Sequence, residues 1–170
     1  MRRFTKFLIF RTSWVYGSRG KNFLLTILRL AQEQEELQIV DDQYGAPTWS
    51  RDLARMVVHV MESIMERSAR SGSSAADAVR AVQGVYHAVD SGETTWFGFA
   101  REFLRCFAAA RPAVKLARLV PIPSHAYPAP ARRPANSRLD CSRLKDVFGF
   151  SMPDWQDSAA SVVAEVLSRE

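Results

Sequence analysis

The chain has 170 residues, 47% of them hydrophobic, and a formal net charge of +5. That length fits one domain or a large piece of one, with apolar content ordinary for a globular core. The charge comes mostly from arginines scattered along the chain, with no blocks and no interleaved aromatic stripe; this argues against nucleic acid and suits a phosphorylated small ligand.

The first ten residues, Met1 to Phe10, mimic a signal peptide only faintly. The apolar run is short, Arg11 breaks it and no small-residue cleavage site follows, so a strand is the better reading. No stretch reaches the length of a membrane-spanning helix, so no membrane partner is expected. Cys106 and Cys141 are too few and too far apart for a disulfide framework or a metal site, and reduced thiols of a cytoplasmic protein are expected.

In chain order, Phe7 to Val15 is β-branched and aromatic, a buried strand. Gly17 to Gly20 is a turn. Asn22 caps a helix over 23–35, with Phe23, Ile27 and Leu30 at helical spacing. Leu37 to Val40 is a short strand, and 41–48 a loop held extended by Pro47. A helix over 50–67 carries Leu53, Val57, Val60, Met61 and Ile64 as one apolar stripe. Residues 68–83, rich in Ser, Ala and Gly, read as a mobile connection with a helical turn near Ala76–Val82.

Val85 to Val89 is the next strand. Thr94 or Thr95 caps a helix whose Trp96, Phe99, Phe103 and Phe107 form a core stripe. Leu116 to Ile122 is a strand. Prolines 121, 123, 128, 130 and 134 then keep the chain extended before two helices, 142–148 and 154–168. Alternating strands and helices make the chain α/β.

Five motifs occur in order: Arg11-Thr12-Ser13-Trp14-Val15-Tyr16-Gly17; Val40 to Thr48; Gly84-Val85-Tyr86-His87 with Gly92, Thr95 and Trp96; Ser124 to Leu139; and Pro153-Asp154-Trp155. Together they resemble the second half of the dTDP-4-dehydrorhamnose reductases, a family of extended short-chain dehydrogenases. The resemblance implies the C-terminal part of a Rossmann-like, doubly wound parallel sheet plus a small α/β substrate-binding lobe. It divides residues 1–170 into last sheet elements and helices (7–67), the connection (68–83), and substrate-lobe and terminal elements (84–170).

The family implies reduction of the C4 ketone of dTDP-4-dehydro-L-rhamnose, a dTDP-sugar, with NADPH or NADH, in assemblies that are often Mg-dependent dimers; a homodimer or self-association is therefore expected. Hydride transfer to a ketone needs a proton donor at the developing alkoxide, which a Tyr lowered by a nearby Lys supplies. Here Tyr16, Tyr44, Tyr86 and Tyr127 are followed four residues later by Gly20, Thr48, Asp90 and Ala131. The Gly-x-x-Gly-x-x-Gly turn that cradles a dinucleotide is also absent. The chain therefore offers no catalytic, cofactor-binding or metal residue, and is expected to be inactive alone.

The resemblance makes Trp14 a sugar contact, Gln43 and Thr48 parts of a nucleotide wall, and Arg133 the diphosphate partner; an indole suits the C–H face of a deoxysugar and an Arg fork suits phosphate. Arg11 reads as half of a structural salt bridge. Asp41 and Asp42, adjacent in extended chain, point to opposite faces and do not share a site. His59, His87 and His125 lack metal-ligand spacing. The alternatives are a non-catalytic sugar-nucleotide-binding or regulatory module and a truncated gene product.

Overall fold

The structure is a computed structural model that describes residues 6–127 and 133–169. Its strands are β1 (Leu8–Arg11), β2 (Val15–Tyr16), β3 (Glu36–Val40), β4 (Tyr44–Gly45), β5 (Thr48–Trp49), β6 (Gly84–His87), β7 (Thr94–Thr95) and β8 (Arg118–Ile122). The helices are α1 (Phe23–Glu33), α2 (Ser50–Ser71), α3 (Ala75–Val82), α4 (Trp96–Ala110), α5 (Ser142–Phe148) and α6 (Trp155–Leu167). β1 pairs with β6, β2 with β5 and β3 with β8, all parallel, whereas β4 and β7 are antiparallel. Parallel pairs joined through helices are the α/β architecture that the sequence predicts, the C-terminal portion of a Rossmann-like sheet with its lobe.

Local chemistry sets the helix starts. Asn22 Oδ1 accepts from the Leu25 N–H, Thr95 Oγ1 from Gly98 N–H and Asp154 Oδ1 from Gln156 N–H. α2 and α5 end on Gly72 and Gly149, both with positive φ, as left-handed C-caps require. Residues 68–83 differ from the expected connection: α2 runs on to Ser71, and Ser74 caps α3, which buries Ala78 and Val82. A composition that reads as a linker becomes helix once a capping serine and two small apolar residues meet a core.

Two cores form, and each draws on chain both before and after residues 68–83. One joins α1, β3, α4 and α6 through Leu24, Ile27, Phe99, Phe103 and Val162. The other joins α2, α3, β6 and α5 through Met56, Val60, Tyr86, Leu144 and Phe148, with Leu8 and Phe10 of β1 against it. The stripe expected on α2 is rotated: Met56, Val60 and Ile64 are buried, but Val57 and Met61 are exposed. That helix carries apolar residues on two faces, and periodicity alone does not say which one the core takes.

The expected first strand is interrupted. Trp14 has φ of 49°, the left-handed region, and the kink separates β1 from β2. Arg11 is exposed and makes no ion pair among the described residues, contrary to the expected salt bridge, because it points away from the core that holds Leu8 and Phe10. Pro121 lies inside β8 opposite Ile39, within the strand expected over Leu116 to Ile122. Arg118 N–H donates to Glu35 O and Ile122 O accepts from Asp41 N–H, so alternation turns the Pro121 nitrogen to the outer edge, where it leaves no donor unpaired. On α5, the Arg143 guanidinium lies 4.6 Å from the Tyr86 ring centre and donates to the carbonyls of Val85 (3.2 Å) and Gln83 (3.3 Å), on the side of β6 away from β1.

A buried polar group joins β5, β6, α2 and α6. Asp90, 1% exposed, accepts the Trp49 N–H at 3.1 Å through Oδ2, while its Oδ1 has no protein partner among the described residues. Asp52, equally buried, accepts from Ser158 Oγ at 2.7 Å. Burial, with repulsion from Asp52, pushes the Asp90 carboxyl up to about 7, although the Trp49 bond opposes the shift. The same burial pushes the Tyr16 phenol above its usual value, helped by Asp90 and Asp52. A carboxyl whose folded pKa is raised binds more protons folded than unfolded. Asp90 therefore costs stability progressively as pH rises from about 4, the unfolded value, to about 7. Asp90→Asn, which imitates the protonated form, is expected to match the parent near pH 3 and to exceed it progressively as pH rises, by up to about 4 kcal/mol at pH 8. Urea unfolding across that range checks it; an unchanged pH slope refutes it.

Candidate functional site

Where the C-terminal ends of β1 and β3 meet the N-termini of α1 and α4, a cavity of about 1060 Å³ opens. Its walls include Trp14, Phe23, Ile39, Gln43, Trp96 and Arg133. Open α/β sheets place ligands at the C-terminal ends of their strands, and this volume exceeds that of most small-molecule clefts.

The aromatic wall is built by packing. Trp14 and Trp96 stack with centroids 3.8 Å apart and planes 16° from parallel. Phe23 closes on Trp96 at 4.6 Å. Trp14 reaches that position through its left-handed backbone, and Gly45 makes room for it: a Cβ on Gly45 would lie 2.7 Å from the indole Cε2. The Arg133 guanidinium stands 6.0 Å from the Trp96 ring centre, at the outer range of a cation–π contact, with its charge directed to an apolar wall. Phe23 and Trp96 are the first residues of α1 and α4, and neither helix has an acidic residue in its first turn. The α1 end has no acidic group in its own first turn, whereas the α4 end has the Asp41 carboxylate on its capping Thr95; the α1 end therefore favours an anionic group beside the cavity.

The adjacent carboxylates diverge as expected from an extended chain. Asp41 accepts the Thr95 hydroxyl, tying the β3 end to the cap of α4. Asp42 accepts the backbone N–H and the hydroxyl of Ser124, each at 2.9 Å, and these bonds hold its carboxyl below the usual range. That clamp positions the 3-10 turn Ser124–Ala126, and so places Ser124 and His125 on the cavity wall.

Of the residues predicted from sequence, Trp14, Gln43 and Arg133 come together here. Thr48 does not. It is 0% exposed, and its hydroxyl accepts the Asp90 N–H and donates to Ala46 O, so it is a structural member of the β5–β6 junction and no part of the wall. Arg132 lies outside the described residues. Arg138 pairs with Glu93 at 2.6 Å, over the Tyr44 ring, outside this cavity. His59 and His87 bond backbone carbonyls of Phe148 and Asp140, as structural histidines do.

Sequence reasoning missed Trp96, which helical spacing assigned to the core. The signal was its place: the first residue after a capping Thr, at a helix N-terminus, where a side chain looks out of the sheet end. Ser124 and His125 open the fourth family motif, but the sequence did not show what fixes them, since the Asp42 clamp spans 82 residues.

Gly17-Ser18-Arg19-Gly20 is a lone pair of glycines after the two-residue strand β2, and no other cradle for a dinucleotide occurs among the described residues. No cluster of His, Cys, Asp or Glu among the described residues could hold a metal ion.

Comparison with known proteins accords with this geometry. The family described as RmlD substrate binding domain matches residues 1–168. The dTDP-4-dehydrorhamnose reductase of Burkholderia thailandensis is 47% identical over 165 residues, 95% of this chain and 52% of that protein. The crystal structure of a dTDP-4-dehydrorhamnose reductase from Clostridium acetobutylicum superposes with a TM-score of 0.74 at 28% identity, over 94% of this chain and 49% of that one. That from Bacillus anthracis, in complex with NADP, gives 0.71 at 29% identity, over 93% and 48%. The chain thus spans about half the length of the reductases it matches. It belongs to the RmlD substrate binding domain family.

Proposed function

We propose that this chain is the sugar-nucleotide-recognising portion of a dTDP-4-dehydrorhamnose reductase. The whole protein would reduce the C4 ketone of dTDP-4-dehydro-L-rhamnose to dTDP-L-rhamnose with NADPH, in the cytoplasm, for cell-surface polysaccharide synthesis. The observation that carries the reading is the convergence of the stacked Trp14–Trp96 pair and Arg133 on one cavity.

The division of labour follows from chemistry. Where it lines the cavity, the aromatic pair offers an apolar, polarisable surface to the C–H groups of a 6-deoxysugar. Arg133 and the N-terminus of α1 offer positive charge to the diphosphate. Gln43, 9% exposed, brings an amide able both to donate and to accept to a nearly dry wall, where a hydrogen bond discriminates most. A nicotinamide supplies hydride in such a reaction. This chain has no cradle for one and no Tyr–Lys pair, so hydride and proton delivery are assigned to the portion of the reductase this chain does not span.

Thermal melts test the reading directly, because a ligand that binds only the folded form raises the midpoint. dTDP-L-rhamnose is expected to raise it for the parent chain. By calorimetry, Trp14→Ala and Arg133→Ala should each weaken binding about tenfold, roughly 1.4 kcal/mol. No midpoint shift, or binding indifferent to both substitutions, overturns the reading. The isolated chain should oxidise no NADPH with dTDP-4-dehydrorhamnose; measurable turnover would show that proton and hydride delivery lie within these residues after all.

Gly45→Ala tests the support of the aromatic wall. The added methyl must displace Trp14 from Trp96. The variant is expected to lose about 2 kcal/mol of stability, to alter the near-ultraviolet circular dichroism of the stacked indoles and to bind the nucleotide sugar more weakly. Unchanged spectrum and affinity would separate Gly45 from the site.

A further inference from the structure

The turn that joins two walls of the cavity is held from outside it. Residues 17–22 connect the Trp14–Tyr16 segment to α1, and Trp14, Tyr16, Phe23 and Thr26 all line the cavity. Within the turn, Asn22 Nδ2 donates to Gly17 O at 2.9 Å and to Arg19 O at 3.2 Å, while its Oδ1 accepts the Leu25 N–H. Asn22 therefore fixes the shape of the turn and its junction with α1. Those bonds are local and do not set where the turn sits against the rest of the fold.

The far end of the chain supplies that position. Glu165, in the last turn of α6, accepts the Ser18 hydroxyl at 2.6 Å through Oε2, across 147 residues. Arg169 Nη1 donates to Ser18 O at 2.8 Å, and its Nη2 lies 3.6 Å from the same Glu165 oxygen. Arg51, at the start of α2, pairs with Glu165 Oε1 and lies 4.8 Å from the Trp49 ring centre. Trp49 is the β5 partner of Tyr16. One carboxylate thus gathers α6, α2 and the turn. The Glu165 side chain is 18% exposed, so its bonds are less screened than those of a solvent-facing pair. Ser18, Arg51, Glu165 and Arg169 do not themselves line the cavity.

The clasp places an amide end. In α1 the Leu25 N–H is taken by Asn22 Oδ1 and the Thr26 N–H by Asn22 O. The Phe23 and Leu24 N–H groups have no acceptor among the described residues, the ordinary state of a helix start. The field of such an end fades within one turn, and its hydrogen bonds need close, aligned acceptors. A displaced turn therefore offers less to an anion in the cavity.

We infer that Glu165 is a positioning residue for the cavity: through Ser18 it sets the place of the 17–22 turn, and with it the amide end of α1 that meets the diphosphate. The inference rests on the reading of the cavity as a nucleotide-sugar site, and exchange measurements separate the two.

The test compares the parent chain with Ser18→Ala, Glu165→Ala, the double variant and Ser18→Thr, which keeps the hydroxyl. Hydrogen exchange over residues 17–26 and calorimetric binding of dTDP-L-rhamnose are measured at a temperature where every form is fully folded by circular dichroism. Ser18→Ala and Glu165→Ala are each expected to speed exchange there and to weaken binding about fivefold. The double variant should lose little more than Glu165→Ala, because the two residues share one bond, and Ser18→Thr should stay close to the parent. Unchanged exchange, additive losses, or faster exchange with parental affinity each overturns the inference, the last by leaving the clasp a stabilising contact only. A parent chain that binds no dTDP-L-rhamnose sinks the ligand reading instead. Exchange then decides the clasp alone: faster in both alanine variants upholds it, unchanged overturns it.

Discussion

The contact between Trp14 and Trp96 governs how this chain is put together. It holds a bulky residue in a left-handed backbone conformation, which costs of order 1 kcal/mol or more unless packing over-determines it. Here it is over-determined: Trp96 lies flat against one face of Trp14, and Gly45 approaches the indole closely. The kink that results lets a single stretch of chain serve two partners, β6 before the turn and β5 after it. The cleft is a by-product of that arrangement, since the same indoles that lock the turn form its wall.

Buried and half-buried polar bonds then fix the rim to the frame. Thr95 does two jobs at once, accepting the Gly98 N–H as a helix cap and donating to Asp41 at the end of β3. Asp42, one residue on, reaches the opposite way to Ser124 beyond β8. Two neighbouring carboxylates thereby tether the helix and the turn that flank the cavity, each from a different side. Such bonds tend to specify a position more than they add net stability, because the groups would be hydrated in the unfolded chain.

Elements governed by local chemistry were legible in the sequence. α1, α4 and α6 begin where Asn22, Thr95 and Asp154 announce them, and β3, β6 and β8 lie within apolar runs of strand composition. The two-residue strands β2, β4, β5 and β7 were not legible, because each exists only through a partner distant in the chain. α3 was legible only as a helical turn near Ala76–Val82, because the linker-like composition concealed its packing. The site was partly legible: the family motifs marked Trp14, Gln43 and Arg133, but placed Thr48 beside them without revealing that its hydroxyl is consumed by Asp90 and Ala46. Val57 and Met61 were assigned inward because a helix with two apolar faces gives one periodic signal for both.

Arg143 has a consequence for what the β1–β6 ribbon can become. By occupying the outward carbonyls of Gln83 and Val85, it seals the far side of the β1–β6 ribbon, as Pro121 removes a donor from the outer side of β8. Fibre growth by repeated strand addition needs two receptive sides on every unit. With two of its carbonyls taken by Arg143, the far side of the ribbon is a poor template for fibre-like strand addition.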